Sequence, residues 1–192
     1  MSSFSVLSLS GSLRAASSNS ALLQAAAALA PSHVQLRHYV GWGELPSFNP
    51  DQELSEDAAL VRLRAAVRDA DAVLIACPEY AHGLPGAFKN ALDWLVGSGE
   101  LINKPVAALN ASGRAMHAQA SLLETLAMMN ADVVLAASLT VNLPSNRLDR
   151  DAMLADPDIC AVLQQSLAAL DEHLQQLRRM SEAARIDLDQ VY

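Results

Sequence analysis

Residues 72–77 read "AVLIAC", six apolar residues in unbroken succession, and residues 78–86 follow as "PEYAHGLPG". Alternating polarity would mark a strand with one wet face. An uninterrupted apolar run bounded by turn residues marks a strand covered on both faces, the condition of a parallel sheet between two helical layers. The flanking segments agree with that placement. Upstream, "SEDAALVRLRAAVRDA" at 55–70 has the helical stripe Leu60, Leu63 and Val67, with Ser55 as the expected N-cap. Downstream, a helix is expected to begin near Pro85, a residue suited to a first helical turn, and "PVAALNAS" at 105–112 supplies the next strand.

Working outward, the same alternation continues. "FSVLSL" at 4–9 is a strand, and "SALLQAAAALAP" at 20–31 is a helix with Leu22, Leu23, Ala26 and Leu29 on one face. "HVQLRHY" at 33–39 is a second strand, and 41–54 is a connection whose Trp42 and Phe48 the core is not expected to absorb fully. A helix from Arg114 to Asn130 places Met116, Ala120, Leu123 and Ala127 on its buried face, and "DVVLAASLTV" at 132–141 is a last strand with a break at Ala136 to Ser138. Residues 142–155 are irregular. A long helix opens at Asp156 and Pro157 and buries Ile159, Val162, Leu163, Leu170, Leu174 and Leu177, with a loosely held tail after Ser181. Five alternations of strand and helix specify an α/β three-layer sandwich around a five-stranded parallel sheet. The natural order is the flavodoxin-like 2-1-3-4-5, as a single domain over residues 1–192, with its ligand beyond the carboxyl ends of strands 1 and 3.

The totals narrow the function classes. Of 192 residues, 52% are hydrophobic, enough for one large core, and 13 basic against 21 acidic residues give a net charge of -8. That balance disfavours nucleic acid and anionic membrane as partners, so an anionic ligand must be captured locally. No apolar run reaches membrane-spanning length and the N-terminus lacks the pattern of a signal peptide, which points to the cytoplasm. Cys77 and Cys160 stand far apart with no metal-ligand spacing around them, so neither disulfide nor metal chemistry is expected.

The predicted topology brings three unusual loops together. After strand 1, "SGSLRAASSN" offers the hydroxyls of Ser10, Ser12, Ser17 and Ser18, the amide of Asn19, the guanidinium of Arg14 and the start of a helix. This set can surround one phosphate, or the Ser and Asn residues can merely cap the helix. The lack of GxxxxGK[ST] argues against a nucleoside-triphosphate loop. After strand 3, Pro78, Glu79 and Tyr80, followed by Ala81, His82 and Gly83, can present backbone groups and a ring to a flat heterocycle, or form an ordinary strand exit. After strand 4, Ser112, Gly113 and Arg114 can touch the far edge of such a ring or cap their own helix.

"GSLRAASSN" followed about sixty residues later by "PEYAHGLPGAFKNALDWL" resembles the NADPH-dependent FMN reductase family, which includes chromate, quinone and azo-dye reductases, over roughly residues 4–180. The resemblance implies FMN as cofactor, NADPH or NADH as co-substrate, and a homodimer or homotetramer with the flavin near a subunit interface. It places phosphate contacts on Ser12, Arg14, Ser17 and Asn19, and isoalloxazine contacts on Pro78, Glu79 and Tyr80. Relatives commonly have Asn where this chain has Ala81, and a longer Gly-rich segment before Arg114. The expected reaction passes hydride from nicotinamide to FMN and on to a quinone, azo, chromate or free-flavin acceptor in a ping-pong scheme, with no obligatory protein acid, base or nucleophile. His82 as proton donor and Cys77 as redox thiol are weaker readings than a solvated loop histidine and a small buried hydrophobe. The alternatives to a reductase are a flavodoxin-type single-electron carrier and a non-catalytic FMN-binding protein.

Overall fold

A computed structural model describes residues 3–52 and 56–189 of the chain. Its strands and helices run β1 (Phe4–Ser10), α1 (Ser18–Leu29), β2 (Val34–His38), α2 (Ala58–Arg68), β3 (Ala72–Ala76), α3 (Gly86–Val96), β4 (Pro105–Leu109), α4 (Met116–Met128), β5 (Asp132–Val133), α5 (Arg150–Leu154) and α6 (Pro157–Asp189). The strands form one sheet in the order β2-β1-β3-β4-β5, and every pairing is parallel. Every residue of β3 and of β4 is buried, as their continuous apolar sequences require. Alternate residues feed two cores. Val6, Leu74 and Leu109 face α1 and α6 through Leu22, Ile159 and Leu163, while Leu9, Ile75 and Val106 face the other layer through Leu63, Phe88 and Leu122.

Several local expectations are corrected. Ser55 lies outside the described residues; the cap of α2 is Asp57, whose carboxylate accepts hydrogen bonds from the N–H groups of Ala59 and Leu60. On α4 the buried face is Ala118, Leu122 and Leu126, whereas Met116 is 69% exposed. The helix is apolar on both faces, so periodicity alone cannot set its rotation. A polar contact does so, because Gln119 Nε2 donates to the Ala108 carbonyl of β4. Trp42 is absorbed after all, packing edge-on against Phe88, and the same connection is tied to α3 where Trp94 Nε1 and Asn90 Nδ2 both donate to the Pro46 carbonyl. Helix α6 continues past Ser181 to Asp189, and its buried stripe includes Leu167 while Leu177 is 37% exposed.

The last strand is broken, but earlier than expected: β5 ends at Val133, ahead of the expected break at Ala136 to Ser138. After β5 the chain makes a tight helical turn at Leu135–Ala137, and Ser138 Oγ accepts from Ala108 N–H while donating to the Val134 carbonyl. The side-chain hydroxyl thereby bridges the Ala108 N–H and the Val134 carbonyl, two groups that a continued parallel ladder would join directly. Pairing resumes only at an isolated bridge between Asn110 and Thr140.

Candidate functional site

The chain leaves β1 through Gly11, whose N–H donates to the Ala76 carbonyl at 2.8 Å. A Cβ at this position would stand 2.4 Å from Cys77 Sγ, so only glycine lets the loop lie this close to the exit of β3. The loop is then built by its own hydroxyls. Ser10 Oγ accepts from Ser20 Oγ at 2.8 Å and from the Ser12 N–H, Ser12 Oγ accepts from the Arg14 N–H, and Ser17 caps α1 by accepting from the Ser20 N–H. Ser18 and Asn19 open the helix with N–H groups that have no carbonyl beneath them. Asn19 is 6% exposed and its side-chain oxygen has no partner among the described residues.

Beyond β3, Tyr80 and Gly83 exchange two backbone hydrogen bonds of 3.0 Å, which makes residues 80–83 a two-residue hairpin. Its tip residues Ala81 and His82 take the left-handed conformation, with φ of 49° and 60°, as such a turn demands. The His82 ring stacks on the His117 ring at 4.4 Å between centroids. Glu79 turns toward α4: its Oε2 accepts from the N–H groups of His117 at 2.9 Å and Ala118 at 3.0 Å. The preceding residue, Ala115, supplies no side-chain cap, so the loop after β3 caps a helix that lacks a cap of its own. The Ala118 hydrogen bond, joined by that of His117 and by the two imidazoles and outweighing partial desolvation, holds the Glu79 carboxyl below its ordinary value. Burial pushes the Cys77 thiol up to about 12. It therefore stays protonated, without the thiolate that redox chemistry requires.

Beyond β4, Asn110 shapes the third loop by accepting from the Ser112 N–H and donating to the Ala115 carbonyl, while the Gly113 N–H donates to Asn142. The three loops enclose a cavity of about 620 Å³ at the carboxyl edge of the sheet. Of the residues expected there, Ser12, Arg14, Ser17, Ser18, Asn19, Pro78, Glu79, Tyr80 and Ser112 line it, together with Arg114. Ser10 lies behind the wall as scaffold, and Ala81, His82, Gly83 and Gly113 are not in the lining. Asn110 and the segment Leu143–Asn146 line the cavity too. Sequence reasoning passed over both; the polar run "NLPSN" inside an otherwise featureless segment was the available signal.

Comparison with known proteins decides the family. The model of the NADPH-dependent FMN reductase family matches residues 4–144. The chain belongs to that family. It is 36% identical over 181 residues to an NAD(P)H-dependent FMN reductase of Pseudomonas aeruginosa, a match covering 90% of this chain and 96% of the relative. It is 35% identical over 92 residues to a quinone reductase of Escherichia coli, covering 47% of this chain and 49% of the relative. The flavoenzyme NAD(P)H:(acceptor) oxidoreductase FerB of Paracoccus denitrificans superposes with a TM-score of 0.74 at 26% identity, covering 90% of this chain and 98% of that one. The protein is accordingly a flavodoxin-like oxidoreductase whose cofactors are FMN and NAD(P)H.

The cavity fits FMN on its own terms. Its size suits a ligand of that class. The open N–H groups at the start of α1, the hydroxyls beside them and the Arg14 guanidinium, which has no ion pair among the described residues, form a donor set for a single phosphate; the unpartnered buried atom of Asn19 is Oδ1, an acceptor, so only its Nδ2 can join that set. Arg114 brings a second guanidinium to the lining, but the His117 and Ala118 N–H groups at the start of α4 are taken by Glu79, so no second open helix start stands beside it.

Proposed function

We propose that this chain is a two-electron reductase that oxidises NAD(P)H and reduces a small planar acceptor, a quinone first and azo compounds, chromate or free flavin beside it, the two substrates using one open slot in turn. The observation that carries this reading is the cavity itself. It joins an anion cradle at one end to a rim at the other where Tyr80 is 48% exposed. Ser12, Arg14, Ser17, Ser18 and Asn19 hold the FMN phosphate; Pro78, Glu79 and Tyr80 border the ring through backbone and aromatic edge; Ser112 borders its far side, in a loop that Gly113 shapes by donating to Asn142. Ala81, His82 and Gly83 shape the hairpin that presents Tyr80. Bound FMN supplies the redox chemistry by accepting and releasing hydride.

The protein contributes position rather than an acid or base. Glu79 is ionised and spent on capping α4, Cys77 is protonated and buried, and His82 is stacked against His117. Steady-state kinetics with NADPH and a quinone test the reading. Parallel double-reciprocal lines are expected, as a ping-pong scheme requires. Absence of nicotinamide oxidation, with FMN bound, overturns it in favour of a carrier.

The active unit is a homodimer or homotetramer. Support comes from the outward face of α4, where Met116, Ala120, Ala127 and Met128 are exposed together. Sedimentation at micromolar concentration should find at least a dimer, and a monomer would contradict this.

A further inference from the structure

A second hollow, of about 580 Å³, adjoins the first and shares Arg14, Ser17 and Asn146 with it. Its floor is the outer side of the loop after β1 and the first turns of α1, through Ala16 and Gln24; its far wall is Arg147 and Leu148. FMN has one phosphate, which the donor set of the first cavity satisfies, so a guanidinium at position 147 serves no part of it. Arg147 nevertheless faces the hollow with no ion pair or side-chain hydrogen bond among the described residues. Its backbone N–H donates to Ser145 Oγ, which shapes the turn that carries it.

The acidic groups of the same wall are already committed. Asp149 accepts from the Ala152 N–H at 2.9 Å, and Asp151 Oδ1 stands 3.7 Å from Arg150 Nε. In a chain of net charge -8, the hollow thus holds three guanidinium groups, of Arg14, Arg147 and Arg150, against the two carboxylates of Asp149 and Asp151, a local positive balance along a groove continuous with the first cavity through Arg14, Ser17 and Asn146.

We propose that this hollow receives the adenosine 2′-phosphate of NADPH, and that Arg147 is the residue by which the chain distinguishes NADPH from NADH. The inference rests on the reductase reading above. A nicotinamide stacked over the ring trails its pyrophosphate and adenosine back along the line of the flavin's own side chain, past Arg14 and into the hollow. Arg147 then forks onto the phosphate that NADH lacks, the planar bidentate contact for which a guanidinium is suited. Leu148 and Ala16 offer the adenine an apolar seat, with the Gln24 amide beside it.

The test uses the FMN-loaded protein. Titration with 2′,5′-ADP and with 5′-AMP should show the former binding about tenfold tighter or more, a preference that Arg147→Ala abolishes and Arg147→Lys partly keeps. In turnover, Arg147→Ala should raise KM for NADPH by about tenfold or more, with kcat and the KM for NADH moving less than twofold. Equal binding of the two nucleotides to the wild type, or an unchanged ratio of kcat/KM for NADPH over NADH in Arg147→Ala, would overturn the proposal. If the wild type oxidises neither nicotinamide, the reductase reading fails, while the nucleotide titration still decides whether the hollow recognises a 2′-phosphate.

Discussion

Gly11 and Arg14 do opposite jobs within four residues of chain. Gly11 lets the loop after β1 touch the exit of β3, since a methyl there meets Cys77 Sγ at 2.4 Å and Cys77 Cα at 3.0 Å. Gly11→Ala should destabilise the fold by about 1–3 kcal/mol through overpacking. Denaturation of Gly11→Ala, Cys77→Ala and the double variant should reveal a favourable coupling, because removing the sulfur relieves part of the clash. Arg14, by contrast, is exposed and bonded to nothing by its side chain among the described residues. Arg14→Ala should leave stability unchanged and weaken FMN binding roughly ten- to hundredfold, the loss of one hydrogen bond to a charged group, as an equilibrium titration will read. The sequence showed the hydroxyls of this loop as either an anion cradle or helix caps, and Ser17 does cap α1. The division of labour among them was not legible, because Ser10 differs from Ser12 only in where its Oγ points once the loop has closed.

Between elements, Glu79 fastens the hairpin after β3 to the start of α4, and so holds two walls of the cavity together. Its carboxyl is held below the ordinary value of 4.5, so its contribution to stability is whole above that pH and is lost as pH falls through the depressed folded-state value. The Tm of wild type should therefore exceed that of Glu79→Gln at neutral pH, and the gap should close below pH 4.5. At the hairpin tip, Ala81 holds a left-handed conformation that costs an L-residue on the order of 1 kcal/mol and that Asn tolerates better. Ala81→Asn should raise Tm by about 2–4 °C in a thermal scan. The alternation of strands and helices could be read directly, because β3 and β4 are apolar throughout and their flanking helices amphipathic. The rotation of α4 could not. It is fixed by Gln119 reaching β4 and by Glu79 reaching from another loop, contacts that leave no mark in the local periodicity. Trp42 was misjudged for a related reason, since its partner Phe88 lies far along the chain.

At the scale of the molecule, the sheet order places the ends of β1, β3 and β4 side by side, and three loops that are separate in sequence become one cavity. The fourth contributor, Leu143–Asn146, follows a segment that rejoins β4, where Val141 N–H donates to the Asn110 carbonyl, and that is tied to the third loop where the Gly113 N–H donates to Asn142. The site is therefore assembled by topology, and the proposed function assigns a phosphate to the donor set at one end and the substrates to the open rim at the other. The most direct test of that account is calorimetric titration of the apo chain with FMN and, separately, with riboflavin, which has the same ring and side chain but no phosphate. The account predicts one FMN per chain, and riboflavin binding weaker by at least about tenfold, since several charge-assisted hydrogen bonds are missing. Equal affinity for the two flavins would contradict it and would show that the loop from Ser12 to Asn19 does not hold the phosphate.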